Sequence, residues 1–211
     1  MKAKKILCYG DSNTWGCRPA DSTRFGRRVR WPMVMASALG KGYSVIEDAE
    51  NGRTVLKLND TPSLNGVAWI ESKIESYVPL YAAIICLGIN DIFVLKEIQL
   101  PRVVKGIEKI VDIIKHAHTV QGIPFPNIIL LTPVMPSARP EEMNFYQLEI
   151  NKAAALIAEY PLIARNTGSR CLDISDSIHA SEKDGSHMED YSHKKLGRIA
   201  ADFIKRIDDE D

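Results

Sequence analysis

Residues 4–16 read KKILCYGDSNTWG, in which a short apolar run ends abruptly at a glycine, an acid and a hydroxyl. An apolar run of this length followed by turn residues is typical of a buried strand that leads into a loop. Similar runs recur along the chain. Together the five runs cover residues 4–10, 43–49, 81–88, 127–133 and 169–175. The third and fourth are nearly continuous in apolar residues, which is expected of central parallel strands that are covered on both faces.

Segments with helical periodicity separate these runs. In residues 101–118, for example, apolar side chains recur at spacings of three and four, the pattern of a helix with one buried face. The other helical segments cover residues 31–40, 63–77, 141–160 and 190–208. This alternation predicts an α/β fold, a three-layer α/β/α sandwich around a five-stranded parallel sheet. No linker-like stretch divides the sequence, so we expect a single domain over residues 1–211.

The composition is balanced in charge, with 27 basic and 27 acidic side chains. It therefore provides no net field that would attract nucleic acid or an anionic membrane. The first apolar stretch, residues 6–9, is too short for a signal peptide, and no stretch approaches the length of a membrane span. We expect a cytoplasmic protein without membrane insertion.

The cysteines give no sign of a metal site, because no pair of them has metal-ligand spacing. Cys8, Cys86 and Cys171 lie in apolar strand-like runs, where a free thiol acts as a small buried hydrophobic group. We therefore expect reduced cysteines, with neither a disulfide nor a zinc site.

Several polar residues directly follow the predicted strands. Ser12 follows the first strand, Gly52 the second and Asn90 the third. Asp184 and His187 lie in the loop after the fifth strand. Ligands bind to such sheets outside the carboxyl ends of the strands, so these residues are expected to meet at one edge.

These residue types can support nucleophilic catalysis. A serine hydroxyl needs a base to remove its proton, and the oxyanion that forms on attack needs donors already aimed at it. We predict that Ser12 is the nucleophile and His187 the base. Asp184 comes three residues before the histidine and can fold back to orient its ring. The N–H groups of Ser12 and Gly52 and the side-chain amide of Asn90 are the candidate oxyanion donors.

Each of these residues also has a structural interpretation. Ser12 is a suitable helix cap or turn hydroxyl, and Gly52 belongs to an Asn-Gly turn signal. Asn90 could cap the segment that follows it. Asp11 is expected to hold the turn at Ser12, and Asp91 to anchor a loop rather than to touch substrate.

The base has two candidates, because Asp176 and His179 have the same spacing as Asp184 and His187. His187 is favoured because it lies just before the last helix, from which an imidazole can reach the end of the first strand. The remaining histidines are expected to be surface or capping residues: His116, His118 and His193.

Four segments in this order, GDSNTWG, ENGRT, GIND and DGSH, resemble the sequence blocks of the SGNH (GDSL-type) hydrolases. The pattern is most similar to the single-domain arylesterase and carbohydrate-esterase-like members. These share VRW (29–31), RT (53–54), LNG (64–66) and a ten-residue step from His187 to Gly197. The resemblance covers almost the whole chain. It implies strand order 2-1-3-4-5, hydrolysis of a carboxylic ester through an acyl-serine intermediate, and no need for a metal or cofactor.

The chain departs from the family pattern at Asn13, where members usually carry Leu or Ile. A polar group beside the nucleophile points to substrate preference, so we predict that Asn13 binds substrate. Trp15 is predicted to do the same as a pocket wall, with core packing as the alternative. The arginine-rich loop 18–30 could meet an anionic substrate or a neighbouring subunit, or could form a solvated rim with local ion pairs.

The expected function is that of a serine esterase acting on a small ester with a short-chain acyl, aryl or carbohydrate group. A lysophospholipase or thioesterase would use the same chemistry. Transfer of the acyl group to an alcohol and homo-oligomerisation also stay open. The alternative from a different class is a non-catalytic flavodoxin-like binding module. A phospho-receiver of this kind needs acidic residues after the first and third strands, where this chain has Asp11 and Asp91.

Overall fold

The five strands predicted from the apolar runs are present and parallel in the structure, a computed structural model that describes residues 3–56, 60–94, 98–137 and 143–210. The strands are β1 (Lys4–Gly10), β2 (Tyr43–Ala49), β3 (Ala82–Cys86), β4 (Asn127–Leu131) and β5 (Arg170–Leu172). The last three strands end earlier than the apolar runs do, because the final residues of each run have already left the sheet.

Helices follow each strand. They are α1 (Ser12–Trp15), α2 (Trp31–Leu39), α3 (Gly66–Tyr77), α4 (Ile89–Val94), α5 (Leu100–Val120), α6 (Met143–Asn166) and α7 (Asp190–Glu210). The longer helices match the predicted segments, although residues 141–142 of the fourth lie outside the described residues. Helices α1 and α4 were not predicted, because neither is long enough to show helical periodicity.

The sheet has the order β2-β1-β3-β4-β5, as the family resemblance implied. Its register decides where the functional loops begin. Gly10 at the end of β1 lies level with Ala49 of β2 and with Cys86 of β3. The segments that follow these three strands therefore leave the sheet side by side.

Alternate strand residues pack into two separate cores. Leu7 and Tyr9 face a core formed with α3, α4, α5 and α6, whereas Ile6 and Cys8 face a core formed with α2 and α7. The period-two alternation explains why the central strands are apolar throughout. The result is the predicted three-layer α/β/α arrangement.

The α2–α7 layer depends on a close approach at Gly197. A Cβ atom there would lie 2.6 Å from Cβ of Val34 and 2.8 Å from the carbonyl oxygen of Trp31. Any side chain would push the two helices apart. This packing holds α7 against α2, and α7 follows the loop that carries His187.

Two expectations about individual side chains are corrected. His118 is fully buried rather than at the surface; it accepts a hydrogen bond from the N–H of Leu80 (3.3 Å) and contacts the carbonyl of Pro124 (2.6 Å). It therefore joins the end of α5 to two loops. Cys8 and Cys86 are buried as predicted, but Cys171 is only half-buried because β5 is an edge strand.

Within the described ranges, no helix is long and apolar enough to cross a membrane.

Candidate active site

Ser12 lies at the first position of α1, directly beyond the carboxyl end of β1. The carboxylate of Asp11 caps this short helix by accepting a hydrogen bond from the N–H of Asn13 (3.0 Å). Asp11 thus holds the turn, as predicted. Ser12 exposes 8% of its surface.

The loop before α7 brings an imidazole to this serine. Nε2 of His187 lies 3.0 Å from Oγ of Ser12. On the other side of the ring, Nδ1 lies 2.7 Å from Oδ2 of Asp184. The three side chains form a continuous chain of hydrogen-bond contacts, although Ser12 and His187 are 175 residues apart in sequence. His179, the other candidate base, is exposed to solvent.

The local fold of the loop holds Asp184 ready to accept from the imidazole. Its Oδ1 accepts hydrogen bonds from the N–H groups of Ser186 and His187, each at 3.0 Å. Burial acts to raise the pKa of Asp184, but these backbone donors and the imidazole together hold it below its usual value. The carboxylate therefore stays ionised beside the ring.

A second carboxyl group lies beneath the serine turn. Burial raises the pKa of Asp11 to about 6, although the N–H of Asn13 and the nearby His187 act in the opposite direction. Asp11 is almost completely buried and its oxygen is used by the helix cap. It is a structural group of the turn.

The candidate oxyanion donors come from the ends of β2 and β3. Gly52 has a positive φ of 77°, which favours glycine, and no described atom lies within 4 Å of the position that a Cβ would take. Gly52 can therefore be a turn residue and still leave open space for a substrate oxygen. Asn90 lies in α4 and donates a hydrogen bond from its side-chain amide to the carbonyl of Arg53 (3.1 Å).

Arg53 is a buried cation between these strands. Its guanidinium donates to a carboxylate oxygen of Asp48 (2.9 Å), to the carbonyl of Asp48 (2.9 Å) and to the carbonyl of Ser63 (2.7 Å). The guanidinium also lies 4.7 Å from the ring centroid of Tyr9. Arg53 thereby fixes the segment that contains Gly52. In the sequence, Arg53 stood out only as part of the RT pair at 53–54, with no function assigned to it. Its position after β2 was the signal that could have placed it at the site.

Asp91 anchors the same segment from α4. Its two carboxylate oxygens accept hydrogen bonds from the N–H groups of Val55 (2.7 Å) and Leu56 (3.0 Å). Burial raises the pKa of Asp91 to about 6, and these two donors partly offset that effect. The loop it anchors is the one after β2.

The side chain of Asn13 is turned toward the backbone of the loop that carries His187. It exposes 6% of its surface, and both ends of its amide contact backbone groups, the carbonyl of Ser186 and the N–H of Met188. The amide is therefore engaged within the protein, and substrate binding by Asn13 stays a prediction. Trp15 is half-buried, and the Arg24 guanidinium lies 5.1 Å from its ring centroid.

The arginine-rich loop forms local ion pairs in part. Arg30 is buried and makes a two-pronged pair with Glu47 of β2 (2.8 and 2.7 Å), which Arg24 also approaches at 3.7 Å. Arg27 and Arg28 are exposed and line a surface cavity of about 590 Å³ beside α2. Local ion pairs are therefore present as expected, but of the two paired arginines only Arg24 belongs to an exposed rim, because the Arg30–Glu47 pair is largely buried.

The position of His193 also differs from the expectation that it is a surface or capping residue. Its side chain is fully buried rather than solvated, packs edge to face against Phe25 with ring centroids 5.3 Å apart, and has no hydrogen-bond partner among the described residues for either nitrogen. Burial lowers the pKa of His193 to about 4, and the charges of His187 and Arg30 act in the same direction. A second imidazole near the site is thereby kept neutral.

In the part of the chain that the structure describes, no group of three or more His, Cys, Asp or Glu side chains could hold a metal ion.

Comparisons with known proteins agree with this fold. Residues 8–194 match the model of the GDSL-like Lipase/Acylhydrolase family. An aryl esterase from M. smegmatis, solved with an inhibitor bound, is 28% identical with a TM-score of 0.87 over 97% of this chain and 99% of that chain. A carbohydrate acetylesterase from Sinorhizobium meliloti is 26% identical with a TM-score of 0.88 over the same shares. A search of curated protein sequences gave no match.

The parallel sheet and the serine turn after its first strand place the protein in the SGNH class of α/β hydrolases. Within that class, the chain belongs to the GDSL-like Lipase/Acylhydrolase family. It is a carboxylic ester hydrolase, and the alternative of a non-catalytic binding module is set aside.

Proposed function

We propose that the protein hydrolyses a small carboxylic ester through an acyl-serine intermediate on Ser12. The observation that carries this proposal is the contact chain from Ser12 Oγ to His187 Nε2 (3.0 Å) and from His187 Nδ1 to Asp184 Oδ2 (2.7 Å). A nucleophile, a base and a group that orients the base are in hydrogen-bond reach in that order, which is the arrangement that serine activation requires.

In the first half-reaction, His187 takes the hydroxyl proton of Ser12 while Oγ attacks the ester carbonyl carbon. Asp184 accepts from Nδ1, fixes which nitrogen carries the proton, and stabilises the imidazolium. The imidazolium then gives its proton to the leaving alkoxide as the C–O bond breaks. An alcohol leaves and the acyl group stays on Ser12.

In the second half-reaction, His187 takes a proton from water, and the resulting hydroxide attacks the acyl carbon. The imidazolium returns that proton to Oγ as the ester bond to Ser12 breaks. A carboxylic acid leaves and the enzyme is restored.

The oxyanion of each tetrahedral intermediate is stabilised by the N–H groups of Ser12 and Gly52 and by the amide of Asn90. The N–H of Ser12 belongs to the first turn of α1, where backbone donors lack partners within the helix. Asn90 uses one amide hydrogen for the carbonyl of Arg53, and its second hydrogen can serve the substrate. These donors are already oriented before the substrate binds.

The substrate class that we propose is an ester with a short acyl group and an aryl or carbohydrate alcohol. Two similar structures support it, since one is of an aryl esterase and the other of a carbohydrate acetylesterase. Trp15 lies three residues after Ser12 and is half-buried, which suits the wall of a small pocket. A preference for lysophospholipids or thioesters is an alternative result that the substrate panel described next can detect.

The test combines a covalent probe with a substrate panel. A fluorophosphonate should label the parent protein once per chain and should not label Ser12→Ala, whereas Ser44→Ala, at an exposed position of β2, should be labelled like the parent. Rates on aryl acetates, longer aryl acyl esters, acetylated sugars, lysophospholipids and acyl thioesters then define the class. Ester turnover by folded Ser12→Ala at the parental rate would refute the mechanism, and a preference for long acyl chains would refute the substrate class.

A further inference from the structure

The side chain of Asn13 bridges two parts of the chain that are far apart in sequence. Its Nδ2 donates a hydrogen bond to the carbonyl of Ser186 (3.0 Å), and its Oδ1 accepts one from the N–H of Met188 (3.0 Å). These two partners flank His187, so one amide holds the backbone on both sides of the imidazole. We propose that Asn13 is a positioning residue that keeps His187 within reach of Ser12, an inference that rests on the proposed function of those two residues.

The residue type follows from its partners. An asparagine amide offers one donor group and one acceptor group at equal reach. Turning the amide over would set its NH₂ group against the N–H of Met188 and its oxygen against the carbonyl of Ser186. Leucine has a similar size but neither group, and an ionised aspartate has no donor. Of these three residue types, only asparagine can hydrogen-bond to the backbone on both sides of His187 and so join the loop to α1.

Burial makes the contact difficult to replace with water. Asn13 exposes 6% of its surface and Met188 exposes none. Without the amide, the N–H of Met188 would be left in the interior without an acceptor, which is unfavourable. The loop would shift to relieve this, and His187 would move with it because it lies between the two contact points.

Other hydrogen bonds give the loop its shape without tying it to the serine. The N–H of Ser181 donates to the carbonyl of His187 (2.8 Å), and the N–H of Gly185 donates to the carbonyl of Ser181 (2.8 Å). Both bonds close the loop on itself. Gly185 also accepts from the N–H of Ser137 (2.9 Å), which joins the loop to the segment after β4. The Asn13 contacts fix the loop against α1, the helix that carries the nucleophile.

Adjacency in the chain makes the arrangement effective. Asn13 follows Ser12 directly, and both belong to α1. The nucleophile and the group that positions its base therefore move together. A change in the tilt of α1 would carry His187 along instead of breaking the contact at 3.0 Å.

Asn13→Leu tests the proposal, with Thr14→Val as the matched control. Thr14 lies in the same helix and is fully buried, but its hydroxyl has no hydrogen-bond partner among the described residues. Both variants exchange a buried polar side chain for an apolar one of similar size, and only the first removes contacts with the His187 loop. Kinetics on an aryl acetate and amide hydrogen exchange of residues 181–189 are measured for each.

We expect kcat of Asn13→Leu to fall about 10- to 100-fold, since a displacement of about 1 Å in a catalytic group can cost that much, with KM changed by less than about threefold. Exchange in the loop should become faster. Thr14→Val should stay within about twofold of the parent in both respects. Equal rates for the two variants, or a change in KM alone, would overturn the proposal.

Asn13→Asp covers the case in which the leucine variant does not fold, because it keeps the size and one acceptor but loses the donor to Ser186. The same kinetic criteria apply to it. Ser12→Ala distinguishes a failure of the positioning role from a failure of the proposed function. If Ser12→Ala is inactive and the Asn13 variants match the control, the positioning role alone is wrong; if Ser12→Ala is active, the proposed function itself fails.

Discussion

The side-chain amide of Asn90 donates a hydrogen bond to the backbone carbonyl of Arg53 at 3.1 Å. This bond fixes the plane of the amide and leaves its second hydrogen free to face a substrate oxygen. Arg53 is itself held by Asp48 at the end of β2 (2.9 Å). Two of the proposed oxyanion donors, Gly52 and Asn90, are thus joined through one buried arginine.

The first prediction concerns the loss of this donor. Asn90→Ala should lower kcat about 10²- to 10³-fold, because one preoriented donor to the oxyanion is removed. The fold should be retained, as judged by circular dichroism.

Asn65→Ala provides the control, because Asn65 caps α3 through the N–H of Ala68 (3.2 Å). We expect this variant to lose about 1 kcal/mol of stability and to keep its kcat. Asn90→Ala should instead lose kcat and keep its fold. Steady-state rates and thermal unfolding measure both. Unchanged kcat in Asn90→Ala would remove Asn90 from the oxyanion site.

The second prediction concerns the buried ion pair. Asp48 accepts from Arg53 and also from the indole of Trp69 (3.0 Å) and the hydroxyl of Tyr77 (2.9 Å). Asp48→Ala leaves an uncompensated buried guanidinium, so we expect the free energy of unfolding to fall by about 3–5 kcal/mol.

Urea unfolding measures this loss. Asp202→Ala is the matched control, since Asp202 pairs with Lys205 only at the surface and at 4.0 Å. Its expected loss is below about 1 kcal/mol. Similar losses in the two variants would show that the Arg53 network does not stabilise the fold.

The third prediction compares the two Asp-x-x-His pairs. His187→Ala should lower kcat about 10⁴- to 10⁶-fold, because the base of the acyl transfer is lost. His179→Ala should have almost no effect, since His179 is exposed. Kinetics on one aryl ester decide between them, and a larger loss in His179→Ala would reverse the assignment of the base.

Much of the fold could be predicted from sequence, since its signals are periodic. Strands β3 and β4 are apolar because helices cover both faces, and that burial is visible as continuous apolar runs. The short helices α1 and α4 left no such signal. Asp11 caps α1, and α4 begins three residues after the end of β3.

The candidate site could be predicted as a set of residues but not as a geometry. Ser12, Gly52 and Asn90 follow neighbouring strands, and parallel topology brings such positions together. The contacts of Asn13 could not be inferred in this way, because its partners are backbone groups of Ser186 and Met188. Backbone partners leave no residue-type signal in a sequence.

The fourth prediction follows from the burial of His193, which lowers its pKa to about 4 from an ordinary value of 6.5. Between these values the unfolded chain binds more protons than the folded chain, so acidification favours unfolding. The contribution of neutral His193 to stability is therefore present above pH 6.5 and is lost as the pH falls toward 4. His193→Phe keeps the packing against Phe25 and removes this titration.

Urea unfolding of the parent and of His193→Phe at several pH values in this range checks the prediction. We expect the parent to lose on the order of 3 kcal/mol relative to the variant on acidification, since one pKa unit corresponds to 1.36 kcal/mol. Asp11 and Asp91, whose pKa values burial raises to about 6, act in the opposite direction, but they are present in both proteins and cancel in the difference. Ser44→Ala, an exposed substitution that removes no titratable group, should give a curve parallel to that of the parent. If His193→Phe also runs parallel to the parent, His193 does not titrate as a buried neutral group.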